Sequence, residues 1–505
     1  MHPDGGAARR GAFPTDSLWI SPFLAIAGAL PWAFSFAEQA LVALPWLALA
    51  PLVLLAERRR PWLWGWIHGF VFWLVSIPWI APTIGNYGEL GPWVGGLLFG
   101  VLAVYLGLFH AVFCWLAAIA WRRQGTWIVL FSLPALWVIV EAFRTVLVSG
   151  FPWNLAAYAW IEVPGALELS AWIGPYGVGY LVVLANTGLA LTLSRLRWQQ
   201  AVVGLAVPIA ALALAARPAT SVDAGPTRRI HLVQPNTPIL RWDDTERIEH
   251  HYSRLLELTP EDCAGDLVIW PESAAFPFSI QRDPRLNVDT RLVTRPGCHL
   301  LLSSPRWEDD RVYNSAFLID EVGRRDSYDK RHLVPYGEYA PLAEVMPFIG
   351  TLARNAGDFS ASKELSLLPW QGERLGLSIC YEVIFADEVA AVAREGATVL
   401  VSMTNDAWYG DSWAPWQHLR AARFRAAENR KPMVRAALTG ISAVIGPDGS
   451  LEQWLGVGDE GVLVAEVHPS TSTTPFARRP WLARGVCVLL GAFAIFRRPP
   501  LRRGR

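Results

Sequence analysis

Residues 93–120 read WVGGLLFGVLAVYLGLFHAVFCWLAAIA, a run without a single Asp, Glu, Lys or Arg. A helix of about 20 apolar residues crosses the ~30 Å hydrocarbon core of a bilayer, so this run predicts a transmembrane helix. The composition of the 505 residues agrees, with 52% hydrophobic and 17% charged residues and a mean hydropathy of +0.27. The 26 Trp residues suit the interfacial belts of a bilayer protein. The sequence therefore predicts an integral membrane protein.

Further apolar runs lie on both sides of this stretch and predict a bundle of eight transmembrane helices. The second and seventh runs are short for a full crossing. The predicted spans are 18–37, 40–56, 62–84, 93–120, 127–147, 176–194, 200–216 and 481–496.

The arginine clusters predict the orientation of these spans, because cytoplasmic loops carry an excess of basic residues. With eight spans, every cluster falls on one side of the membrane. We therefore expect both termini in the cytoplasm and residues 218–475 on the opposite face of the membrane. The clusters are Arg9 with Arg10, Arg58–Arg60, Arg122 with Arg123, Arg195 with Arg197, and the tail from Arg497 to Arg505.

Charge and cysteine content exclude several classes of protein. The 44 basic and 44 acidic residues cancel, so no strong field favours nucleic acid as a partner. The cysteines are few and scattered, without a CxxC or a His/Cys cluster, which argues against a disulfide framework and against zinc. Cys114 and Cys487 lie in apolar runs and are expected to be packing residues. Cys298 is expected to be a small buried side chain, and Cys263 to lie in a loop without partners.

Residues 218–475 have the pattern of an α/β domain. The chain is therefore expected to consist of a bundle of about seven spans (1–217), this domain (218–475), and a last span with a basic tail (476–505). Short apolar runs bounded by turn residues favour buried strands. A helix is expected near Trp416–Asn429, and Pro447-Asp448-Gly449 predicts a hairpin turn. The predicted strands are Ile230–Gln234, Leu267–Trp270, His299–Ser304, Leu375–Cys380 and Thr398–Ser402, with Ser442–Ile445 and Leu451–Trp454 in the hairpin.

Three strand ends carry reactive side chains. Leu267-Val268-Ile269-Trp270-Pro271-Glu272-Ser273 places Glu272 where proline ends a strand. The segment Lys330-Arg331-His332-Leu333-Val334-Pro335-Tyr336-Gly337-Glu338 holds a cation and a carboxylate, and Ile379-Cys380-Tyr381-Glu382 ends a strand with a thiol. Only three of the 44 basic residues are lysines, so a lysine in this loop indicates a need for a compact ammonium group. Together these groups predict a nucleophilic site in which a carboxylate deprotonates the thiol and the ammonium stabilises an oxyanion.

These segments, in this order, resemble the nitrilase superfamily with its Glu-Lys-Cys triad. Longer stretches resemble the apolipoprotein N-acyltransferase family. Those stretches are Leu232-Val233-Gln234-Pro235-Asn236 with Arg241-Trp242-Asp243, Thr404-Asn405-Asp406-Ala407-Trp408-Tyr409-Gly410 through Gln417-His418, Arg425–Arg430, Gly440–Pro447 and Gly150-Phe151-Pro152-Trp153. The resemblance implies an αββα sandwich inserted between transmembrane helices 7 and 8, on the periplasmic face of a bacterial inner membrane. One position departs from the family pattern, since Leu438 stands where Asn is usual.

The resemblance also implies roles for individual residues. Glu272 is the expected general base, Lys330 the oxyanion-stabilising group, Cys380 the nucleophile and Glu338 a supporting carboxylate. Trp242, Tyr381 and Glu382 are expected at the substrate. For Glu338 the alternative is a structural partner of Lys330, and for Trp242 it is an anchor at the bilayer interface.

Four other polar residues are expected to have structural and not catalytic roles. His332 and His418 are expected to be structural, because the triad has its own carboxylate. Glu141 and Arg144 lie one helical turn apart and are expected to pair with each other. The apolar segments Met346–Ile349 and Trp408-Tyr409 are candidate walls or lids for an acyl chain.

The implied reaction transfers an acyl chain, mainly the sn-1 chain of a phospholipid, to the α-amine of an apolipoprotein's N-terminal diacylglyceryl-cysteine. It needs neither a cofactor nor a metal, and a monomer is expected. Two hypotheses from other classes remain open. One is a membrane-tethered amidase or nitrilase that hydrolyses its thioester with water, and the other is a transporter whose external domain only binds ligand.

Overall fold

The computed structural model describes residues 19–37, 41–87, 90–195, 198–216, 226–240, 243–294, 297–340 and 358–497. Two regions lie side by side: a bundle of apolar helices and an α/β domain built on two β-sheets. In chain order, all twelve strands of the described residues fall between the helices Trp198–Ala215 and Leu482–Phe496.

The apolar helices occupy the segments in which the sequence predicts membrane spans. Helix α7 is broken at Gly174, whose positive φ of 65° and tight contact with the Phe476 ring suit a residue without a Cβ. The helices are α1 (Ile20–Phe34), α2 (Ala50–Leu55), α3 (Pro61–Ser76), α4 (Ile80–Pro82), α5 (Gly91–Arg123), α6 (Thr126–Arg144), α7 (Ala166–Arg195) and α8 (Trp198–Ala215), with α13 (Leu482–Phe496) near the end of the chain.

Within the described residues, α5, α6, α7 and α8 are long and apolar enough to cross a membrane. A fifth span is present if α3 and the segment Ile80–Asn86, which are bent by 70°, count as one. The helical segments Ile20–Phe34, Leu44–Leu55 and Leu482–Phe496 are shorter. The described residues therefore contain several helices that could span a membrane, and the count of eight stays a prediction.

The α/β domain contains two six-stranded sheets. The strands are β1 (Arg228–Gln234), β2 (Leu267–Ile269), β3 (His299–Glu308), β4 (Arg311–Ile319), β5 (Arg325–Asp329), β6 (Leu368–Trp370), β7 (Glu373–Ile379), β8 (Val399–Thr404), β9 (Met433–Ala437), β10 (Ser442–Ile445), β11 (Leu451–Leu455) and β12 (Gly461–Val467). All seven predicted strands and the predicted hairpin are confirmed. The first sheet has the order β12-β1-β2-β3-β4-β5 and the second β11-β10-β9-β8-β7-β6.

Strand direction brings several strand ends to one edge of the domain. In the first sheet β1, β2 and β3 are parallel, and β5 runs the same way because β4 is antiparallel to both of its neighbours. In the second sheet β7, β8 and β9 are parallel. The carboxyl ends of parallel strands lie at the same edge of a sheet, which is where ligands bind in open α/β sheets.

The two sheets pack face to face, with a helix layer on each outer side. Along β2, Leu267 and Ile269 pack between the sheets, whereas Val268 packs with the helices outside the first sheet. This alternation follows from the two-residue period of a strand. The outer helices are α9 (Thr245–Leu258) and α10 (Pro284–Thr294) on the first sheet, and α11 (Ala386–Arg394) and α12 (Ala414–Asn429) on the second. The predicted αββα order of layers is present.

Helix α12 joins the sandwich to the helix bundle. The amide nitrogen of Gln417 donates to Ser76 O at 2.8 Å, and its amide oxygen accepts from the Trp153 indole at 2.7 Å. The Arg420 guanidinium donates to Ser35 O at 3.1 Å and Ala37 O at 2.5 Å. These side chains satisfy the carbonyl of the last residue of α3 and two carbonyls just beyond the end of α1, where helical hydrogen-bond partners run out.

The expectation that Cys263 and Cys298 are free of disulfides is wrong, because the two form a disulfide bond with a Cα–Cα distance of 5.2 Å. They lie 35 residues apart in sequence, just before β2 and β3. Parallel pairing of these strands brings the two positions together. Cys114 and Cys487 are free and buried, as predicted.

Candidate active site

Glu272 lies where the chain leaves the carboxyl end of β2. Its Oε2 accepts from the backbone N–H of Asn405 at 3.0 Å, just beyond β8 of the other sheet. Its Oε1 accepts from the Asn314 side-chain amide at 2.8 Å. The carboxylate therefore bridges the two sheets at the edge where their parallel strands end.

Lys330 follows β5 and is almost completely buried, at 1% exposure. Its Nζ lies 2.9 Å from Glu338 Oε1 and 3.4 Å from Glu272 Oε1. Burial alone would lower the pKa of Lys330, but Glu338 and Glu272 outweigh burial and raise that pKa above its ordinary value. The ammonium therefore keeps its charge between two carboxylates.

Asn314 on β4 ties these groups together. Its side-chain amide donates to Glu272 Oε1 and to Glu338 Oε1, both at 2.8 Å, and its backbone oxygen accepts from the N–H of Lys330, also at 2.8 Å. The other Glu338 oxygen accepts from the N–H of Val334 at 2.8 Å. Asn314 thus sets the distance between the carboxylates that hold the lysine.

Cys380 is the first residue after β7 and begins the 3-10 turn Cys380–Ile384. Its φ of 52° is in the left-handed region that non-glycine residues rarely adopt and that often marks functional positions. Burial raises the pKa of the Cys380 thiol, the Glu272 charge adds to this effect, and the Lys330 charge opposes it. The resting sulfur is therefore a protonated thiol and not a thiolate.

Glu382 is buried under the Cys380 turn, where both of its carboxylate oxygens accept hydrogen bonds. Ile379 N donates to Oε2 and Arg331 N to Oε1, both at 2.6 Å, and the Tyr328 hydroxyl lies 2.9 Å from each oxygen. Burial raises the pKa of Glu382 to about 7, while the N–H groups of Ile379 and Arg331 oppose that rise. These contacts join the lysine loop to the cysteine turn, and they favour a positioning role over the predicted substrate contact.

A loop of the helix bundle, residues 147–156, connects to this turn. The Tyr381 hydroxyl donates to Gly150 O at 2.9 Å. Gly150 has a φ of 86°, and a Cβ there would meet Thr145 O at 2.2 Å, so only glycine fits. The loop is held in turn by Arg144, whose guanidinium donates to Phe151 O and Trp153 O and lies 3.6 Å from Glu141. The predicted Glu141–Arg144 pair is present, and it supports the loop that Tyr381 contacts.

A second buried network lies on the other side of Cys380. His418 Nε2 donates to Cys380 O at 3.2 Å, and its Nδ1 lies 3.0 Å from the Arg435 guanidinium and 3.2 Å from Asp406 Oδ1. Arg435 also binds Asp406 Oδ2 at 2.7 Å. Burial and the Arg435 charge lower the pKa of His418, and Asp406 opposes that fall. His418 thus holds the backbone of the cysteine turn, in agreement with its predicted structural role.

Comparisons with known proteins identify the family. An N-terminal-domain profile of apolipoprotein N-acyltransferases matches residues 27–188. The apolipoprotein N-acyltransferase of Geobacter metallireducens is 33% identical over 470 residues, covering 88% of this chain and 89% of its own. That of Methylococcus capsulatus is 32% identical and covers 94% of this chain and 96% of its own. The chain belongs to the apolipoprotein N-acyltransferase family.

A second family profile matches the α/β domain. The carbon-nitrogen hydrolase profile covers residues 229–475, which include both sheets and every residue of the cluster around Lys330. The family resemblance inferred from the sequence motifs is thereby confirmed. Leu438, the one departure from the family pattern, is buried among apolar side chains outside the first sheet.

The structure brings Glu272, Lys330, Glu338 and Cys380 together at one edge of the sandwich, with Tyr381 and Glu382 directly behind the cysteine. Trp242 and the candidate lid Met346–Ile349 lie outside the described residues. The other candidate wall, Trp408-Tyr409, is described: the Tyr409 ring packs against Trp79, Trp153 and His418, between the bundle and the cysteine turn.

The sequence alone did not identify Asn314 and Arg435 as residues of the site. Asn314 lies in Tyr313-Asn314-Ser315, and nothing in that segment marks a polar side chain that will meet two carboxylates. Arg435 lies in Met433-Val434-Arg435-Ala436-Ala437, a segment that becomes the fully buried strand β9. One signal was available for Arg435, because a charged residue within an apolar strand needs a buried partner.

Replacing Asn314 with alanine is expected to lower kcat/KM for the family reaction by about 10²-fold. The change removes the amide that spaces Glu272 from Glu338, and displacement of a catalytic group by about 1 Å costs this much. Asn314→Asp should be worse, because it replaces donors with a third carboxylate beside the other two. Steady-state kinetics with a thermal-unfolding control measures both effects. Equal activity of wild type and Asn314→Asp would show that the amide has no such role.

Proposed function

We propose that this protein transfers a fatty acyl chain, mainly the sn-1 chain of a membrane phospholipid, to the α-amine of the N-terminal diacylglyceryl-cysteine of apolipoproteins. The observation that carries the proposal is the buried cluster of Cys380, Glu272, Lys330 and Glu338 on loops fastened to an apolar helix bundle. Family membership favours acyl transfer over hydrolysis by a membrane-tethered amidase.

In the first half-reaction Glu272 accepts the proton of the Cys380 thiol, and the sulfur attacks the ester carbonyl of the phospholipid. The Lys330 ammonium stabilises the tetrahedral oxyanion, a contribution of about 3 kcal/mol for one donor. When the intermediate collapses, the C–O bond breaks and Glu272 returns the proton to the leaving oxygen. A lysophospholipid departs, and the acyl chain remains on Cys380 as a thioester.

In the second half-reaction the neutral α-amine of the acceptor attacks the thioester. Lys330 again stabilises the oxyanion, the C–S bond breaks, and the proton of the amine passes through Glu272 to the sulfur. The ester is converted through a thioester to an amide without a cofactor. Two substrates that use one nucleophile in turn give ping-pong kinetics.

The bundle gives both substrates a route that never leaves the bilayer. Moving an acyl chain into water would cost about 0.8 kcal/mol per methylene. Tyr381 and α12 fasten the cysteine turn to the outer ends of the apolar helices, so the nucleophile lies near the membrane surface. We infer an eight-span protein with domains 1–217, 218–475 and 476–505, with both termini cytoplasmic and the catalytic domain periplasmic.

The proposed activity is tested by supplying purified enzyme with phospholipid vesicles and a synthetic diacylglyceryl peptide. The expected products are an N-acylated peptide and lysophospholipid in equal amounts. Release of free fatty acid at the same rate with or without the peptide would identify a hydrolase instead. Binding of either lipid without any product would leave only a ligand-binding role for the external domain.

The Cys263–Cys298 disulfide supports the periplasmic placement, because disulfides persist in oxidising compartments and are rare in the cytosol. We expect intact cells to contain the oxidised pair, seen as a disulfide-linked peptide in non-reducing mass spectrometry. Cys263→Ser should lower the free energy of unfolding by about 2–4 kcal/mol, whereas Cys487→Ala, which removes a free thiol, should have a smaller effect. Two reduced thiols in protein taken from cells would contradict this orientation.

A further inference from the structure

His332 forms a three-way contact that the catalytic mechanism does not use. It lies two residues after Lys330, in the loop whose backbone N–H groups bind Glu382. Its Nδ1 lies 2.8 Å from Glu388 Oε1 on α11. Its Nε2 lies 2.9 Å from Ser149 O in the bundle loop. One ring therefore touches the lysine loop, the catalytic domain and the membrane bundle.

The two partners of the ring decide its protonation state. The Ser149 carbonyl oxygen only accepts hydrogen bonds, and an ionised Glu388 carboxylate also only accepts. A neutral imidazole has one N–H donor, so it can satisfy one of these acceptors and turns a bare nitrogen lone pair toward the other. Both contacts are hydrogen bonds only when both ring nitrogens carry a proton.

The surroundings of the ring suit a positive charge. The Phe385 ring stacks on the imidazole with centroids 3.7 Å apart, a geometry in which an aromatic face attracts a cation. Tyr381 meets the imidazole edge-on at 5.7 Å. The Glu388 carboxylate on α11 is the charged group in direct contact with the ring. The Glu382 carboxylate of the cysteine turn accepts from the backbone N–H of His332 at 3.2 Å, and Arg144 of the bundle donates to Phe151 O in the loop that carries Ser149.

The Ser149 end of the contact belongs to a strained backbone. Val148 has a φ of 53° and Ser149 a φ of 67°, in the left-handed region that a β-branched residue such as Val148 almost never adopts. Such a conformation persists only where its surroundings hold it. Two hydrogen bonds from the catalytic domain do so, from His332 to Ser149 O and from Tyr381 to Gly150 O.

We propose that His332 is a positioning residue that acts as a doubly protonated clamp, holding the Lys330 loop to Glu388 and to the Ser149 carbonyl of the membrane bundle. Loss of one ring proton releases one of the two contacts. The loop that carries Lys330 then loses part of its alignment with Glu272 and Cys380. This inference rests on the proposed acyl transfer, because it assigns the clamp to the lysine of that reaction.

The pH profile of acyl transfer separates a clamp that needs its charge from a merely structural histidine. We compare kcat/KM for wild type, His332→Gln, Glu388→Gln and the exposed control His250→Ala. Wild type and His250→Ala should lose activity as rising pH removes a ring proton. His332→Gln should be about 10–100-fold slower and lack that decline. Glu388→Gln should keep its activity at high pH, because its amide can donate to a neutral ring.

Nitrogen-15 NMR of histidine-labelled enzyme in nanodiscs tests the clamp independently of catalysis. The His332 signals are assigned by their absence in His332→Gln, and both ring nitrogens should be protonated at the pH of maximal activity. An unprotonated ring nitrogen at that pH, or a His332→Gln profile identical to that of wild type, would overturn the clamp. If wild type transfers no acyl chain at all, the proposed function fails, and the protonation state of the ring measured at neutral pH still decides whether it is a doubly protonated clamp.

Discussion

Cys380→Ala is expected to reduce acyl transfer by at least about 10⁴-fold, to the background rate, because no other group at the site can form the acyl intermediate. The neighbours of Cys380 should stay in place, since Glu272 and Lys330 are held by Asn314 and Glu338. The fold should survive, because removal of one sulfur from a buried position costs only about 1 kcal/mol. Acyl transfer from phospholipid to a diacylglyceryl peptide is the measurement.

Two controls make the Cys380 result specific. Cys114→Ala and Cys487→Ala remove the other free thiols of the described residues, both buried in apolar surroundings, and each should retain wild-type kcat. Cys380→Ser keeps the size of the side chain but offers an alcohol, which is far harder to deprotonate, so it should be nearly as inactive as Cys380→Ala. Substantial turnover by Cys380→Ala would rule out covalent catalysis at this position.

Lys330→Met is expected to produce the second large loss, about 10³-fold in kcat with a reduced free energy of unfolding. The substitution removes the donor that stabilises the oxyanion, worth about 3 kcal/mol. It also leaves Glu272 and Glu338 buried beside each other without the ammonium between them. Removing one partner of a buried ion pair lowers the free energy of unfolding by about 3–5 kcal/mol, so the change should be seen in thermal unfolding as well as in the kinetics.

The chain supplies its own control for this prediction. Lys363 is exposed, so Lys363→Met should leave both activity and unfolding close to wild type. Lys330→Arg keeps the charge, but its planar guanidinium is bulkier than an ammonium and the site is 1% exposed, so it should be nearly as inactive as Lys330→Met. Wild-type activity in Lys330→Arg would show that a positive charge alone is enough.

The sequence predicted the strand ends because they carry a local signal. Leu267–Ile269 and Leu375–Ile379 are short, mostly apolar runs followed by a turn; Cys380 comes directly after the second run, and Glu272 follows the first after Trp270 and Pro271. Such a pattern locates Glu272 and Cys380 along the chain. Their meeting depends on the packing of two separate sheets, for which the family resemblance, and not the local pattern, provided the expectation.

The features that the sequence did not predict depend on contacts between distant segments. Asn314 acquires its two carboxylates only when β4 pairs beside β5, and the disulfide forms only because β2 and β3 are parallel neighbours. Arg435 lies in a strand of otherwise apolar residues, and nothing in that strand indicates that Arg435 forms a buried ion pair with Asp406. Pairwise spacing along the chain carries no signal for such contacts.

In the helix bundle, too, the sequence predicted some features and not others. Hydropathy located the apolar segments, but the breaks within them follow from tertiary contacts. Helix α7 breaks at Gly174 against Phe476, and α3 ends where Gln417 of the catalytic domain binds Ser76 O. Gln417 also accepts from the Trp153 indole of the bundle loop that holds Tyr381, so the bundle contributes to the geometry of the site as well as to its location.

The most direct test of this account is mass spectrometry of wild-type enzyme after incubation with phospholipid in the absence of an acceptor peptide. We expect the Cys380 peptide to carry the mass of one acyl chain, which hydroxylamine removes and which disappears when the diacylglyceryl peptide is added. An unmodified Cys380 in enzyme that turns over normally, or an acyl chain bound stably to a different residue, would contradict it.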